Sequence, residues 1–523
     1  MRVLVSDPLA QDGLELLRAE VIVDVETGLD EDGLAAVIGE YDALVVRSGT
    51  QVTERIIEAG SRLQVIGRAG VGVDNINVDA ATRRGILVVN APDGNTLAAA
   101  EHTIAMMLSL ARHIPQADAS LRARKWARKQ FVGTEVNGKT LGVIGLGRIG
   151  REVASRARGL RMRVVGYDPY MASEPAEQLG IEMVQLDELL AESDFITVHV
   201  PLTSDTRDLI GERELGLMKP TARIINCARG GVVNEDELAQ ALETNRIAGA
   251  ALDVFVSEPP FDSPLVNSPK VVLTPHLGAS TTEAQVAVAV DVVREVLAVL
   301  AGEPAKHPVN APMIPPEMQA QLLPFCELAE KLGRSVSQLM DRRLSQVEVT
   351  YAGRLADLNT DPLRALLIKG LLQPATETQI TLVNANLIAR ERGLHVVERK
   401  IEEAGHYANL ITVRFQDNGA VRKVSGTTVR DEPHIVQIDE YQIDFTLRGH
   451  QLLIYHCDRP GLIGSVGQLT GKADVNIAFM AVGRLEPRGT SLMVLTLDEY
   501  VPREVRTEIE ALPNVYGTRL LEL

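Results

Sequence analysis

Three polar side chains in the middle of the chain, Arg229, Glu258 and His276, each stand just after a β-branched or aliphatic run: IINCA, ALDVFVS and VVLTP. An arginine is a permanently charged fork that pairs two-pronged with a carboxylate and polarises a neighbouring carbonyl. A histidine can take a hydroxyl proton while a hydride leaves the same carbon. A glutamate bonded to the other imidazole nitrogen fixes the tautomer and favours the charged ring. Taken singly, the three also read as a surface arginine, a cap-like glutamate and a satisfied core histidine. Together, at strand ends, they describe proton and hydride chemistry on a small acid.

A second motif supplies a place for the hydride to go. Gly145-Leu146-Gly147-Arg148-Ile149-Gly150 follows the strand LGVI and opens the helix REVASRARGL. The first glycine permits a tight turn, the second lets backbone approach a pyrophosphate, and the third lets helix and strand pack closely. The pyrophosphate then meets the free N–H groups and dipole of a helix N-terminus. Asp168 stands 18 residues beyond Gly150, at the end of the next strand. A carboxylate there accepts from a ribose 2′-hydroxyl and repels a 2′-phosphate, and no arginine follows it in DPYMASE, so NAD is expected over NADP. Asp253, in ALDVFVS, is expected on the same cofactor face. An earlier Gly67-Arg68-Ala69-Gly70-Val71-Gly72 lacks a long following helix. It reads either as a loop offering N–H groups and Arg68 to a carboxylate, or as a plain structural turn.

These residues need a frame to hold them. The 523-residue chain is too long for one core and suggests three or four domains. Lys plus Arg number 53 and Asp plus Glu 70, a net charge of −17, which disfavours general binding to nucleic acid or an anionic membrane. The longest apolar helical stretch, 286–300, contains Asp291, Arg294 and Glu295, which excludes a span. The N-terminus MRVLVSDPLA lacks a long apolar run and reads as a first strand. Three cysteines, Cys227, Cys326 and Cys457, make no disulfide framework and point to a reducing cytoplasm.

Over the first 310 residues, short β-branched runs alternate with amphipathic runs, the pattern of α/β units with doubly wound parallel sheets. A helix without a polar face is expected over Thr96–Arg112, buried on all sides. Six strand candidates follow from Leu141 to Thr274, the count of a Rossmann sheet. A further helix over Glu283–Leu300 leads to 302–316, where five prolines read as a linker. Residues 317–449 read as α+β. Residues 450–523 read strand, helix, strand, strand, helix, strand, a ferredoxin-like order.

The residues CARGGVVNEDEL, AALDVFVSEPP and TPHLGAST, with GLGRIG and VVRSGT, resemble the D-isomer-specific 2-hydroxyacid dehydrogenases, and among them the phosphoglycerate dehydrogenases. The likeness implies a flavodoxin-like substrate lobe (1–97, completed by 291–310) and an NAD-binding Rossmann lobe (98–290). It makes Arg229 the substrate arginine, Glu258 the supporting glutamate and His276 the acid/base. Arg47, in VVRSGT, matches a substrate-binding position. Asn95, in PDGNT, matches a contact to the hydroxyacid. Arg128, in WARKQF, matches a basic residue that a neighbouring subunit can lend. The implied reaction is oxidation of 3-phosphoglycerate, the first step of L-serine synthesis, in a homo-oligomer, with a tetramer expected.

Residues 317–449 resemble the intervening domain of long-form phosphoglycerate dehydrogenases through SGTTVRDEPHIVQIDEY. The likeness implies that Arg422, Lys423 and Arg430 there could hold an anionic, substrate-like effector, although a solvated basic edge is the simpler reading. The stretch HCDRPGLIG with Val475-Asn476-Ile477 resembles the ACT module, which binds amino acids between paired copies. That likeness puts His456, Asp458 and Asn476 where serine-sensing versions hold L-serine; such modules also serve purely to assemble subunits. Two other functions stay open at this level: a hydroxypyruvate or glyoxylate reductase, and an NAD-sensing binding protein.

Overall fold

The chain folds around four sheets. The computed structural model describes residues 1–340, 344–377, 379–417 and 419–523. The first sheet is parallel and contains β1 (Arg2–Val5), β2 (Ile22–Val25), β3 (Ala43–Val46), β4 (Val65–Arg68) and β5 (Leu87–Asn90), in the order β2-β1-β3-β4-β5. That is the flavodoxin-like order. Val, Ile and Leu fill its strands because helices cover both faces; all four residues of β3 are buried.

The helix Thr96–Arg112 leads from this lobe into the second, packing on the helix Arg148–Gly159. One difference from the sequence reading is its exposed side. Leu97 and Glu101 face outward, so the helix is buried on one face only, against the second sheet.

The second sheet holds β6 (Thr140–Ile144), β7 (Arg163–Tyr167), β8 (Glu182–Met183), β9 (Phe195–Val198), β10 (Arg223–Asn226), β11 (Gly249–Leu252) and β12 (Val271–Leu273). All pair in parallel, in the order β12-β11-β10-β9-β6-β7-β8. Seven strands stand where six were expected. The extra one, β8, is two residues at the edge, too short for a periodic signal. The strand order reverses between β6 and β9, and the carboxyl ends of the strands on either side open into a crevice.

The helix Thr282–Leu300, capped by the Thr281 hydroxyl accepting from Ala284 N–H at 3.1 Å, returns to the first sheet and buries Val288, Val292, Val293 and Val296 against it. The proline-rich segment after it is not a free linker. Val309 N–H donates to Val88 O at 2.8 Å, and Asn310 Oδ1 accepts from Val88 N–H at 2.8 Å. The segment thus runs along the open edge of β5. Pro308 lacks an N–H and suits an edge.

The third sheet comprises β13 (Gln346–Gly353), β14 (His395–Ile401), β15 (Asn409–Asp417), β16 (Ala420–Val429), β17 (Glu432–Ile438) and β18 (Tyr441–Thr446), in the order β14-β13-β15-β16-β17-β18. The helices Pro316–Leu339 and Asp361–Leu372 bury their apolar faces in its core. Arg422 is not part of a solvated edge: its Nε lies 2.9 Å from both carboxylate oxygens of Asp439, and its Nη2 is 3.2 Å from the Tyr455 hydroxyl.

The last sheet has β19 (His450–Cys457), β20 (Ile477–Arg484), β21 (Thr490–Leu497) and β22 (Val515–Glu522), in the order β20-β21-β19-β22. With the helices Leu462–Lys472 and Arg503–Glu510 this is a ferredoxin-like unit. Its sheet face shares a core with the third sheet: Leu453, Leu492, Val494 and Leu521 pack in one cluster with Leu328, Val413 and Phe445. Among the described residues, no helix is long and apolar enough to cross a membrane.

Candidate active site

A cavity of about 520 Å³ lies between the first two lobes. Arg47, Arg68, Asn95, Arg229, Asp253, Glu258 and His276, all singled out from the sequence, line it. They arrive from the ends of β3, β4, β5, β10, β11 and β12, so parallel strands deliver them to one crevice although they span more than two hundred positions.

His276 sits in the turn after β12 at φ +54°, a left-handed conformation uncommon for a bulky residue. Three backbone bonds hold that turn. His276 N–H donates to Asp253 O at 2.9 Å, while Leu277 N–H and Gly278 N–H donate to the Asp253 carboxylate at 2.7 and 2.9 Å. The Asp253 carboxylate is fully buried, and also accepts from the Thr274 hydroxyl at 2.6 Å and meets His102 Nε2 at 3.1 Å. Burial pushes its pKa up, but His102, Thr274 and Leu277 more than offset this, leaving it below the ordinary carboxylate range. Asp253, expected on the cofactor face, thus has its oxygens engaged by the loop that carries His276.

The Glu258 oxygens lie 2.9 and 3.1 Å from His276 Nδ1. Burial raises the Glu258 pKa, and the hydrogen bond and charge of His276 bring it below the ordinary value. With Nδ1 engaged, Nε2 is the ring nitrogen left for a reacting group.

Three arginines face this pair. Arg229 Nε bonds Asp74 across the lobes at 2.9 Å, and its Nη1 donates to Ala228 O at 2.7 Å, which fixes the plane of the fork. Gly72 makes room for it: a Cβ there would lie 1.8 Å from Arg229 Nη2. Arg68 is held down to about 10 by burial and by the neighbouring cations Arg229 and Arg47, and stays charged at neutral pH. Its Nε and the Asn95 Oδ1 are buried without a hydrogen-bond partner, an unused donor and an unused acceptor in the cavity wall. The loop bearing Arg47 is clamped by Asp7, which accepts its N–H at 2.6 Å, and by Asn75, which donates to its carbonyl at 2.7 Å. The Gly67–Gly72 segment is therefore a cavity wall.

Two cavity residues are chemically quiet. Burial pushes His199 down to about 4, so its ring is neutral, and burial with the charge of Asp253 pushes the Cys227 thiol up to about 12.

The Gly145–Gly150 turn fits a dinucleotide. Gly145 has φ +90°, a Cβ on Gly150 would lie 2.0 Å from Gly145 O, and a Cβ on Gly147 would project into open space. Ile149 reaches the cavity, while Arg148 pairs with Asp93 at 3.0 Å. Asp168 Oδ2 accepts from Leu146 N–H at 2.9 Å, which ties the end of β7 to the turn. Sequence reasoning missed Asp7, Asp74, Asn75, Asp93 and His102. Their partners lie far away in the chain, and no local pattern marks them.

Other expected residues lie elsewhere. Arg128 is exposed on the single 3₁₀ turn Arg128–Gln130, outside the cavity. His456 is buried with both ring nitrogens unpartnered, and Asp458 meets Arg484 at 3.4 Å. Asn476 donates to Asp498 at 2.6 Å. Ile477 and His450 both pair with Leu497, so Asn476 is at the opposite end of the sheet from Asp458, roughly 25 Å away at 3.3 Å per residue. One copy does not bring the three together.

Comparison with known proteins gives the same frame. Residues 104–278 match the D-isomer specific 2-hydroxyacid dehydrogenase NAD binding domain, and 321–439 match the D-3-phosphoglycerate dehydrogenase intervening domain. A D-3-phosphoglycerate dehydrogenase of Synechocystis is 48% identical over 100% of this chain and 95% of its own length. That of Methanocaldococcus jannaschii is 47% identical, with 100% of each chain covered. The crystal structure of the TT0316 protein from Thermus thermophilus, 34% identical, superposes with a TM-score of 0.55 over 59% of this chain and 100% of that one. Full-length identity at this level means that the chain belongs to the D-3-phosphoglycerate dehydrogenases of the D-isomer-specific 2-hydroxyacid dehydrogenase family.

Proposed function

We propose that the chain oxidises 3-phospho-D-glycerate at C2 to 3-phosphohydroxypyruvate with NAD, the opening step of L-serine synthesis. The observation that carries this reading is the meeting of Arg47, Arg68 and Arg229 with the Glu258–His276 pair in one cavity. A three-carbon acid bearing both a carboxylate and a phosphate needs more than one cationic fork, whereas a simple 2-hydroxyacid needs only one. Arg229 and the loop around Arg68 hold the carboxylate, and Arg47 holds the phosphate. Asn95, in the same cavity wall, contacts the hydroxyacid.

His276 Nε2 removes the C2 hydroxyl proton, and Glu258 stabilises the imidazolium that forms. Bound along the Gly145–Gly150 turn with Asp168 at its ribose, NAD supplies the acceptor for the C2 hydride. In the reverse direction His276 returns the proton. Closure of the lobes around the cavity excludes water from this exchange.

The test compares NADH oxidation with phosphohydroxypyruvate and with unphosphorylated hydroxypyruvate at equal low concentrations. A preference of about 10- to 100-fold in kcat/KM is expected, the yield of a charge-assisted contact of about 1.5–3 kcal/mol. Arg47→Ala should remove the preference and spare hydroxypyruvate. Equal rates in the unaltered protein would make it a general 2-keto acid reductase, and NADH binding without turnover would make it a binding protein.

We also propose domain limits of 1–97 with 291–310, 98–290, 317–449 and 450–523, and a cytoplasmic setting, which suits three free thiols. The last module would act as an ACT unit. L-Serine would lie between paired copies, with His456 and Asp458 from one and Asn476 from the other. The protein would then be a homo-oligomer, a tetramer by family expectation.

A further inference from the structure

Arg148 has a partner that the cofactor reading leaves unexplained. It is the first residue of the helix Arg148–Gly159, beside the open space at Gly147 where the pyrophosphate belongs. Its Nε nevertheless lies 3.0 Å from Asp93 Oδ1. Asp93 is in the crossover between β5 and the helix Thr96–Arg112, the strip of chain that joins the two lobes. Neighbouring Gly94 packs so closely on the returning helix that a Cβ there would lie 2.8 Å from Val288. The ion pair therefore ties the phosphate loop of one lobe to the hinge between both.

The two partners are unequally placed. Asp93 has a second neighbour, His307, whose Nε2 is 3.4 Å from Oδ2. The other nitrogen of His307 is 3.1 Å from the buried Glu295. Asp291, on the same returning helix, also faces this group and is itself beside Arg294. Asp93 would thus keep a partner if Arg148 left. Arg148 and Asp93 are 50% and 54% exposed, so their pair is a weak surface ion pair. A pyrophosphate brings two negative charges and the oxygen geometry that an arginine fork prefers, at a helix end already suited to anions.

We propose that Asp93 is an internal stand-in for the cofactor's pyrophosphate. It holds Arg148 at the hinge in the free protein and yields it when the dinucleotide binds, so that cofactor binding unties the phosphate loop from the hinge. This rests on the NAD reading above. Asp93 acts through Arg148 and is a positioning residue.

The experiment is an NADH fluorescence titration of the full chain as unaltered protein, Asp93→Asn, Arg148→Gln and the double variant. Asp93→Asn should bind NADH about two- to five-fold more tightly, since an exposed ion pair competes only weakly. The same change in the Arg148→Gln background should alter nothing. In competition, ADP-ribose, which keeps the pyrophosphate, should gain by the same factor in Asp93→Asn, and adenosine should gain nothing. Unchanged or weaker NADH binding in Asp93→Asn overturns the proposal, as does equal tightening without Arg148. If the unaltered protein bound no NADH, the cofactor reading itself would fail, a distinct result.

Discussion

The centre of the site is the bond between Glu258 and His276 Nδ1, and its charge balance can be read in solution. Glu258 stays below the ordinary carboxylate range despite burial, because the imidazole opposite favours its anion. Reduction needs His276 as the acid, so activity in that direction falls as the ring loses its proton. Replacing Glu258 with the neutral amide removes the stabilising charge. The pH–rate profile of Glu258→Gln should therefore shift to lower pH in the reducing direction, with kcat down about 100-fold, the lower end of what general acid–base catalysis contributes. An unmoved profile would remove Glu258 from this role. Arg229, Glu258 and His276 could be read from sequence because strand ends converge in α/β sheets. Asp74 could not, since its tie to Arg229 joins residues 155 apart, and only the closed fold brings them together.

At the scale of elements, the sequence carried the sheets well and their edges poorly. Strands buried on both faces are continuous apolar runs, so β3, β9 and β11 stand out. An edge strand such as β8 has two residues and one parallel neighbour, and carries no such run. The pairing of 308–310 with β5 was hidden for another reason: prolines announce a break, and say nothing of what the broken chain lies against. The dinucleotide turn makes a sharper demand. A methyl at Gly150 would meet a backbone oxygen at 2.0 Å, which no rotamer relieves. Gly150→Ala should push β6 and its following helix apart and weaken NADH binding more than about tenfold, the effect of a 1.4 kcal/mol loss. Thermal melting of the same variant will show how far the damage spreads.

At the scale of the molecule, one stretch of chain exposes several large apolar groups. Leu121, Trp126 and Val132 are 60%, 84% and 78% exposed around Arg128. In the homo-oligomer proposed above, large apolar groups exposed along one stretch of chain would supply an interface. A second copy seated there would cover them and carry Arg128 towards a neighbouring cavity. Leu121→Glu with Trp126→Glu should therefore lower the mass seen by sedimentation. It should also weaken phosphohydroxypyruvate more than hydroxypyruvate. An unchanged mass would place the interface elsewhere.

The core shared by the last two sheets decides where this chain can be divided. Leu453, Leu492, Val494 and Leu521 fill the same apolar cluster as Val413 and Phe445, and the Gln338 side chain bonds both the N–H and the carbonyl of Glu522 at 2.8 and 3.0 Å. Each such side chain contributes about 1.5–3 kcal/mol by burial. Severing the backbone near 449 would strip that cover from both halves and leave two sticky surfaces. Against the first lobe the C-terminal half makes a lighter contact, such as Thr381 donating to Gly85 O at 3.1 Å. A shuffled or shortened gene would therefore do best to gain or lose the last two hundred residues as one cassette, with its seam after Asn310, beyond the pairing with β5.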